Sequence, residues 1–194
     1  MTSTWNCTGA VLVGGASTRM GKPKTHIRLP DGRRMIEPVI RALQVTCGEV
    51  IVVGGAEPGY RHLADRRSGA GPLAGVEALL SSGIDNNYLI CPADLPLVTP
   101  ELLSRLAIAP AAPAVIFDVE GSDGVQSLPL RISTQAAPAV TNALDAGHNA
   151  IHFVLERLEL ELVSLTAGEA IQLLNVNTPE ALLELEGIIG ELSG

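Results

Sequence analysis

The residues best suited to chemistry begin directly after the first apolar run, in the glycine-rich segment Leu12–Lys24. Gly14 and Gly15 carry no side chains that would keep backbone N–H groups away from a phosphate oxygen. Arg19 and Lys24 add cationic donors, which form strong charge-assisted hydrogen bonds with phosphate. The pattern predicts a loop that binds a phosphorylated ligand. The alternative is an ordinary turn that leads into a solvated, basic helix start.

The spacing in this segment differs from that of two better-known phosphate loops. A P-loop requires a glycine, four residues and then Gly-Lys-Ser/Thr. Here the interval from Gly15 to Gly21 is one residue too long, and Pro23 occupies the place of the hydroxyl residue. A GxGxxA pattern at 69–74 follows no predicted strand, so it indicates no dinucleotide site.

A second candidate is the carboxylate of Asp94, which follows the apolar run Tyr88–Cys91 and lies between Pro92 and Pro96. The prolines restrict the backbone of this loop. A carboxylate at the carboxyl end of a buried strand, facing a phosphate site, is a common ligand of Mg²⁺. Taken alone, Asp94 could equally cap a helix or stabilise a turn. Together with the basic loop, it predicts a metal site.

Two further segments supply amide and small side chains. Asn175 and Asn177 flank Val176 in a predicted strand, so their side chains should point to opposite faces, one of them toward the site. Either amide could instead satisfy backbone groups at the strand end. The segment Gly71–Gly75 opens a predicted helix with small residues that let a base or sugar approach closely. Its alternative role is tight packing of the helix on the sheet.

Composition and charge limit the class of protein and its partners. The 194 residues are 46% apolar and 3% aromatic, which predicts one domain with an aliphatic core and no aromatic platform for nucleic acid. The net charge is -8, yet residues 1–67 carry +5 and the remainder -13, which favours a local site for a small anion. Three widely spaced cysteines, no signal peptide and no membrane-length apolar run predict a cytoplasmic protein that binds neither membrane nor nucleic acid.

Short aliphatic runs alternate with helical patterns, which predicts an α/β fold with a mostly parallel sheet covered on both faces. Strands are predicted at 10–13, 50–53, 88–91, 114–118, 127–130, 160–164 and 173–176. Helices are predicted at 35–47, 72–82, 100–106, 134–146, 150–158 and 179–192. In such sheets ligands bind outside the carboxyl ends of the strands, so the site should follow Val13, Val53, Cys91 and Val176.

Together these segments resemble the molybdenum cofactor guanylyltransferase family of nucleotidyltransferases. The matching residues, in chain order, are Leu12-Val-Gly-Gly15 with Arg19-Met-Gly21 and Lys24, Gly71-Pro-Leu-Ala-Gly75, Cys91-Pro-Ala-Asp-Leu-Pro96 and Asn175-Val-Asn-Thr-Pro-Glu180. The resemblance implies a Rossmann-like three-layer α/β/α nucleotidyltransferase fold in one domain, residues 1–194. It also implies transfer of GMP from GTP to the terminal phosphate of molybdopterin, with or without molybdenum, and release of pyrophosphate.

The resemblance implies roles for individual residues as well. Lys24, with Arg19, would hold the triphosphate, Asp65 would contact guanine, and Asp94 would bind Mg²⁺, for which Mn²⁺ could substitute. The positions implied to contact the nucleotide are Leu12, Val13, Gly14, Gly15, Lys24, Asp65, Gly71, Pro72, Asp94 and Asn177. The implied partners are GTP, molybdopterin or Mo-molybdopterin, and molybdoenzymes or their chaperones.

Four positions depart from the family pattern. Val13 replaces the usual alanine, and Gly54 stands where an asparagine is common. Gln126 replaces a frequent histidine, and Gly147–Ala150 lacks the arginines often found there, so these two departures concern the acceptor more than the nucleotide. Two alternatives therefore stay open: a related nucleotidyltransferase that uses CTP or another phosphorylated acceptor, and a nucleotide-binding protein that has lost catalysis.

Overall fold

The computed structural model describes residues 7–13, 27–121 and 126–192 of the chain. Within them, seven strands form one sheet: β1 (Thr8–Leu12), β2 (Val50–Val53), β3 (Arg61–Leu63), β4 (Asn87–Pro92), β5 (Ala114–Val119), β6 (Gln126–Ser133) and β7 (Leu160–Leu165). The α-helices are α1 (Ile36–Cys47), α2 (Gly71–Leu80), α3 (Pro100–Ile108), α4 (Ala137–Asp145), α5 (His152–Leu155) and α6 (Pro179–Leu192).

The strand order is β3-β2-β1-β4-β6-β5-β7, and β6 alone among these strands runs antiparallel to its neighbours. The predicted mostly parallel sheet is therefore confirmed. Strand β3 was not predicted, because Arg61 and His62 are exposed and polar at the edge of the sheet and give no apolar run. The central strands do contain apolar runs: all four residues of β2 are apolar and buried, as expected for a strand covered on both faces.

Helices cover both faces of the sheet. Val11 and Leu89 pack with α1 and α3 in one core cluster. Ala10 and Ile90, whose side chains point the other way, pack with α2, α4 and α5 in a second cluster. Alternate residues of the same strands thus belong to opposite cores, which is the three-layer α/β/α arrangement expected from the sequence.

Two helices begin with a threonine side chain as N-terminal cap. The Thr99 hydroxyl accepts a hydrogen bond from the Leu102 N–H at 3.2 Å, and the Thr178 hydroxyl accepts one from the Ala181 N–H at 3.2 Å. Each cap satisfies one of the N–H groups that a helix leaves without an internal partner. Of the helices within the described ranges, none combines the length and apolar character needed to cross a lipid bilayer.

Three predicted elements differ in the structure. The helix predicted at 134–146 begins as a 3₁₀ turn, and α4 starts only where Pro138 fits the first helical turn. The helix predicted at 150–158 is reduced to α5, because the residues on either side of it form turns.

The prediction of a strand at 173–176 is wrong. A 3₁₀ helix spans Glu169–Leu173, and the following residues have no regular structure. Val176 is buried all the same, in a small third cluster with Ile27, Leu29 and Leu185. Its aliphatic side chain therefore reflects burial against loops and α6 rather than a place in the sheet.

Candidate active site

The carboxyl ends of three central strands lie side by side. Leu12 is in register with Val53 of β2 on one side and with Pro92 of β4 on the other. Beyond the strands, the Val13 N–H donates to the Val53 carbonyl at 3.0 Å, and the Ala93 N–H donates to the Leu12 carbonyl at 3.0 Å. The structure thus brings Val13 and Ala93, the first residues after β1 and β4, together with the end of β2.

A narrow cleft opens beside β1 and β2, over the start of α2. Its lining residues are Leu12, Val53, Gly54, Asp65, Gly71, Pro72 and Gly75. Four residues that the sequence analysis assigned to the nucleotide, Leu12, Asp65, Gly71 and Pro72, therefore share one cleft. Gly54, noted as a departure from the family pattern, lines it as well.

Gly75 explains how α2 comes so close to the sheet. A Cβ atom on Gly75 would lie 3.0 Å from Cγ1 of Val53 and 3.1 Å from Cδ2 of Leu12, which is tighter than ordinary contact. Tight helix–sheet packing, the alternative role considered for this segment, is thus what Gly75 provides. Gly71 and Pro72 are exposed and border the cleft.

Asn149 is a neighbour of the cleft that sequence reasoning did not single out. Its backbone carbonyl accepts a hydrogen bond from the Leu73 N–H at 3.3 Å, at the start of α2. Gly71, with φ of +66°, leaves no room for a Cβ atom, which would lie 3.0 Å from the same carbonyl. The loop 147–150 therefore adjoins the cleft. The contact joins residues that are far apart in the chain, so no local sequence pattern predicts it.

Asp65 gives the cleft its main polar group. Within the part of the chain that the structure describes, its Oδ1 atom is buried and has no hydrogen-bond partner. Nearby Arg67 does not serve it, since that guanidinium pairs with Glu77 at 2.9 Å and Asp145 at 2.7 Å. Burial raises the pKa of the Asp65 carboxyl. A buried acceptor of this kind suits a ligand that donates hydrogen bonds.

Asp94 is buried two residues beyond the end of β4. Its backbone carbonyl accepts a hydrogen bond from the Val176 N–H at 2.9 Å, so the Asn175–Asn177 segment does meet the Asp94 loop. Because this segment is not a strand, the argument that placed the two amides on opposite faces does not hold. Asn175 is exposed and Asn177 is half-buried, and the contact of Asn177 with a ligand stays a prediction.

The residues predicted to hold phosphate, Gly14, Gly15, Arg19 and Lys24, lie outside the described residues, and their roles stay predictions. The described chain on either side of them is well anchored. Val13, which precedes them, is hydrogen-bonded to β2.

At this edge the buried carboxylate of Asp94 could serve as a hard oxygen donor to a cation. No group of three or more His, Cys, Asp or Glu residues that could hold a metal occurs in the described ranges. One carboxylate fits Mg²⁺, which is usually held by one or two carboxylates and by substrate phosphates rather than by an all-protein cage. His148 and His152 are four residues apart, a spacing that two metal ligands on a helix can have. Both rings instead lie against the Phe153 ring, with centroids 4.2 Å away.

Residues 9–162 match the family model described as the MobA-like NTP transferase domain. The chain belongs to this family. It is therefore a nucleotidyltransferase, and the resemblance inferred from the sequence motifs is confirmed.

Individual relatives cover nearly the whole chain. A molybdenum cofactor guanylyltransferase from Xanthomonas euvesicatoria pv. vesicatoria (strain 85-10) is 31% identical over 176 residues, covering 89% of this chain and 90% of the relative. The crystal structure of molybdopterin-guanine dinucleotide biosynthesis protein A from Archaeoglobus fulgidus is 27% identical, with a TM-score of 0.77 over 95% of this chain and 99% of that chain. A Mycobacterium tuberculosis H37Rv protein in complex with manganese shares the fold at 18% identity, with a TM-score of 0.66 over 94% and 98% of the two chains.

Replacing Gly75 should measure how tightly α2 is held to the sheet. In Gly75→Ala the new methyl group meets Val53 and Leu12, so we expect a net loss of about 1 kcal/mol in the free energy of unfolding despite the better helix propensity of alanine. Gly187→Ala in α6 is the matched control, because no heavy atom lies within 4 Å of its new methyl group; it should gain up to about 1 kcal/mol. Denaturant unfolding of both variants checks this, and equal gains would contradict the packing argument.

The raised pKa of Asp65 predicts a pH-dependent cost to stability. Because the folded-state pKa lies above the unfolded value of about 3.9, the wild type loses stability as pH rises between the two values, and the loss persists at pH 7. Asp65→Asn should therefore melt at a temperature roughly 2–4 °C higher at pH 7 in the absence of ligand, with a smaller difference toward pH 4. Thermal melts of both proteins across this range test it; a constant difference would show that the Asp65 charge is not responsible.

Proposed function

We propose that this protein is a guanylyltransferase that transfers GMP from GTP to the terminal phosphate of molybdopterin, with or without bound molybdenum, and releases pyrophosphate. The observation that carries the proposal is the buried Oδ1 atom of Asp65, which has no donor among the described residues, in a side chain that lines a narrow cleft at the carboxyl edge of the sheet. The activity named for the Xanthomonas relative, 31% identical over 176 residues, supports the same assignment.

The chemistry of the nucleobases explains why a carboxylate here favours guanine. Guanine presents two neighbouring donors, N1–H and the N2 amino group, and a carboxylate can accept from both. Cytosine and adenine offer an amino donor beside a ring acceptor, and a carboxylate repels that acceptor. Uracil offers one N–H between two carbonyls, which a carboxylate also repels. Asp65, which accepts no hydrogen bond from the described residues, thus selects GTP over the other nucleotides.

The phosphates of the nucleotide would extend from this cleft along the ends of β1 and β4. Asp94 would hold Mg²⁺, or Mn²⁺ as a substitute, together with phosphate oxygens. When bound, the ion supplies neutralisation of phosphate charge. The Asp94 loop is held in place for this role, because its carbonyl accepts the Val176 N–H and its neighbour Ala93 is bonded to Leu12.

Lys24 and Arg19 would hold the triphosphate from the other side. Support comes from the residues that border their segment. Val13 is hydrogen-bonded beside the cleft, and Ile27 packs with Val176, whose N–H donates to Asp94. Val13 therefore lies beside a residue that lines the cleft, and Ile27 packs in the same cluster as a residue that is bonded to Asp94.

The reaction requires little from the protein beyond placement and charge. The acceptor is a phosphate monoester, which is already ionised at neutral pH, so no strong general base is needed. What accelerates the transfer is in-line positioning of the two phosphates and neutralisation of their charge. On the acceptor side, Asn149 and the loop 147–150 adjoin the start of α2, which makes them candidates to contact the pterin. Molybdoenzymes or their chaperones would receive the product, in the cytoplasm.

Base selectivity tests the role of Asp65. In Asp65→Asn one carboxylate oxygen is replaced by an NH₂ group that repels the guanine donors, so GTP affinity should fall about 10- to 100-fold. The affinity for CTP, measured by calorimetry with Mg²⁺ present, should change by less than threefold. Asp118→Asn is the matched control, since Asp118 lies on β5, four strands from β2 and about 19 Å away by strand spacing. A wild type that prefers CTP would favour the cytidylyl alternative.

Catalysis tests the roles of Asp94 and Lys24. Asp94→Asn keeps the shape of the residue and its backbone bond to Val176 but removes the charge, so pyrophosphate release with GTP and molybdopterin should fall 10²- to 10³-fold. Lys24→Ala should lose turnover to a similar extent. Circular dichroism and melting temperature would verify that both variants fold.

The assay of pyrophosphate release and the measurements of folding distinguish three outcomes. Loss of turnover with retained fold supports the assigned roles, and full turnover in either variant refutes the role of that residue. A wild type that binds GTP but releases no pyrophosphate with molybdopterin would favour the alternative of a nucleotide-binding protein without catalysis.

A further inference from the structure

Two cysteines that are 40 positions apart in the chain meet at the opposite edge of the sheet. Cys7 directly precedes β1, and Cys47 is the last residue of α1. Their Sγ atoms lie 3.4 Å apart, and both residues are only 7% exposed. Packing of α1 against β1 creates this contact, since both cysteines belong to the core cluster between that helix and the sheet.

One of the two cysteines borders a cavity. A cavity of about 560 Å³ lies at the amino-terminal edge of the sheet, and its lining includes Cys7, Arg131 and Ser133 but not Cys47. A small polar oxidant that entered it would therefore reach Cys7 first. The cavity is unrelated to the nucleotide cleft, which lies at the other end of β1.

Two charged side chains act on the Cys7 thiol: the carboxylate of Asp85 and, more weakly, Arg131. The buried guanidinium of Arg131 donates to the carbonyls of Ala107 at 3.0 Å and Ala109 at 2.8 Å. Among the described residues it forms no ion pair with a carboxylate within 4 Å, although Glu161 acts on it electrostatically from farther away. The hydrogen bond with Cys47 lowers the pKa of Cys7 against the opposing effects of burial and Asp85, whereas the pKa of Cys47 is raised by the same contact and by burial.

We propose that Cys7 and Cys47 are a peroxide-sensitive thiol pair, with Cys7 as the attacking sulfur and Cys47 as the resolving sulfur. The Cys7 thiolate attacks one oxygen of hydrogen peroxide, the O–O bond breaks, and the departing hydroxide takes up the proton that the thiol had released. Cys47 then attacks the resulting sulfenic acid of Cys7, the S–O bond breaks, and a second water leaves. Two thiols and one peroxide thus give one disulfide and two waters.

The geometry requires only a small movement. A disulfide has an S–S distance of about 2.05 Å, so the two sulfurs must approach by roughly 1.4 Å from their contact at 3.4 Å. Cys91 differs, because it is fully buried in the core, burial raises its pKa, and no other thiol of the described residues contacts it.

The disulfide would connect the start of β1 to the end of α1 and close a loop of about 40 residues. Such a link stabilises chiefly by restricting the unfolded chain, and it crosses neither the cleft nor the Asp94 loop. We therefore expect a rise in melting temperature on the order of 5–10 °C on oxidation, reversed by dithiothreitol.

The test uses the full chain, first reduced and then exposed to hydrogen peroxide. Remaining thiols are alkylated under denaturing conditions and counted by intact mass. The reduced protein should take up three alkyl groups, and the oxidised protein one, on Cys91. Peptide mapping should join the peptides of Cys7 and Cys47. Cys91→Ala should still form the link, whereas Cys7→Ser and Cys47→Ser should not.

The result is decisive in the wild type, whether or not the serine variants fold. Three free thiols after peroxide treatment would overturn the proposal, as would a link to Cys91 or one that joins only two separate chains. A dimedone adduct on Cys7 that does not proceed to the disulfide would refute the resolving role of Cys47. None of these readouts involves GTP or molybdopterin, so the proposal stands or fails independently of the proposed function.

Discussion

Parallel pairing of β1 between β2 and β4 is the constraint on which the site depends. Because the three strands run in the same direction and in register at Leu12, the segments that follow them emerge at one edge. Two backbone hydrogen bonds of 3.0 Å continue the pairing beyond the strands, through Val13 and Ala93. A ligand at this edge therefore contacts chain segments that are up to 80 positions apart in the sequence. The buried strands β1, β2 and β4 hold these segments in place.

Beside these strands the protein keeps a buried acceptor, Oδ1 of Asp65, that does not add to its stability. The Asp65 carboxyl lies in a cleft where it has no donor among the described residues, and its raised pKa reflects the cost of that burial. Arg67, which could have neutralised it, is directed instead to Glu77 and Asp145. A ligand that donates hydrogen bonds to this carboxyl would offset the cost on binding.

The two edges of the sheet carry different chemistry. The carboxyl edge collects carboxylates beside a narrow cleft, whereas the amino edge holds two thiols and a buried guanidinium beside a larger cavity. Strand β1 connects them, with Cys7 before its first residue and Leu12 at its last. An event at the thiol pair would therefore act on the stability of the central strand without entering the nucleotide cleft.

The sequence by itself determined those features of the protein that depend only on residues close together in the chain. Continuous apolar runs identified strands such as β2, Thr99 and Thr178 marked helix starts, and the motifs around Asp94 identified the family. Only the tertiary structure decided that Val176 binds the Asp94 loop instead of joining the sheet, and that Asn149 packs on Gly71. The physical reason is that burial of an aliphatic residue looks the same in sequence whether a strand or a loop buries it, because the partner that completes the contact lies far away in the chain.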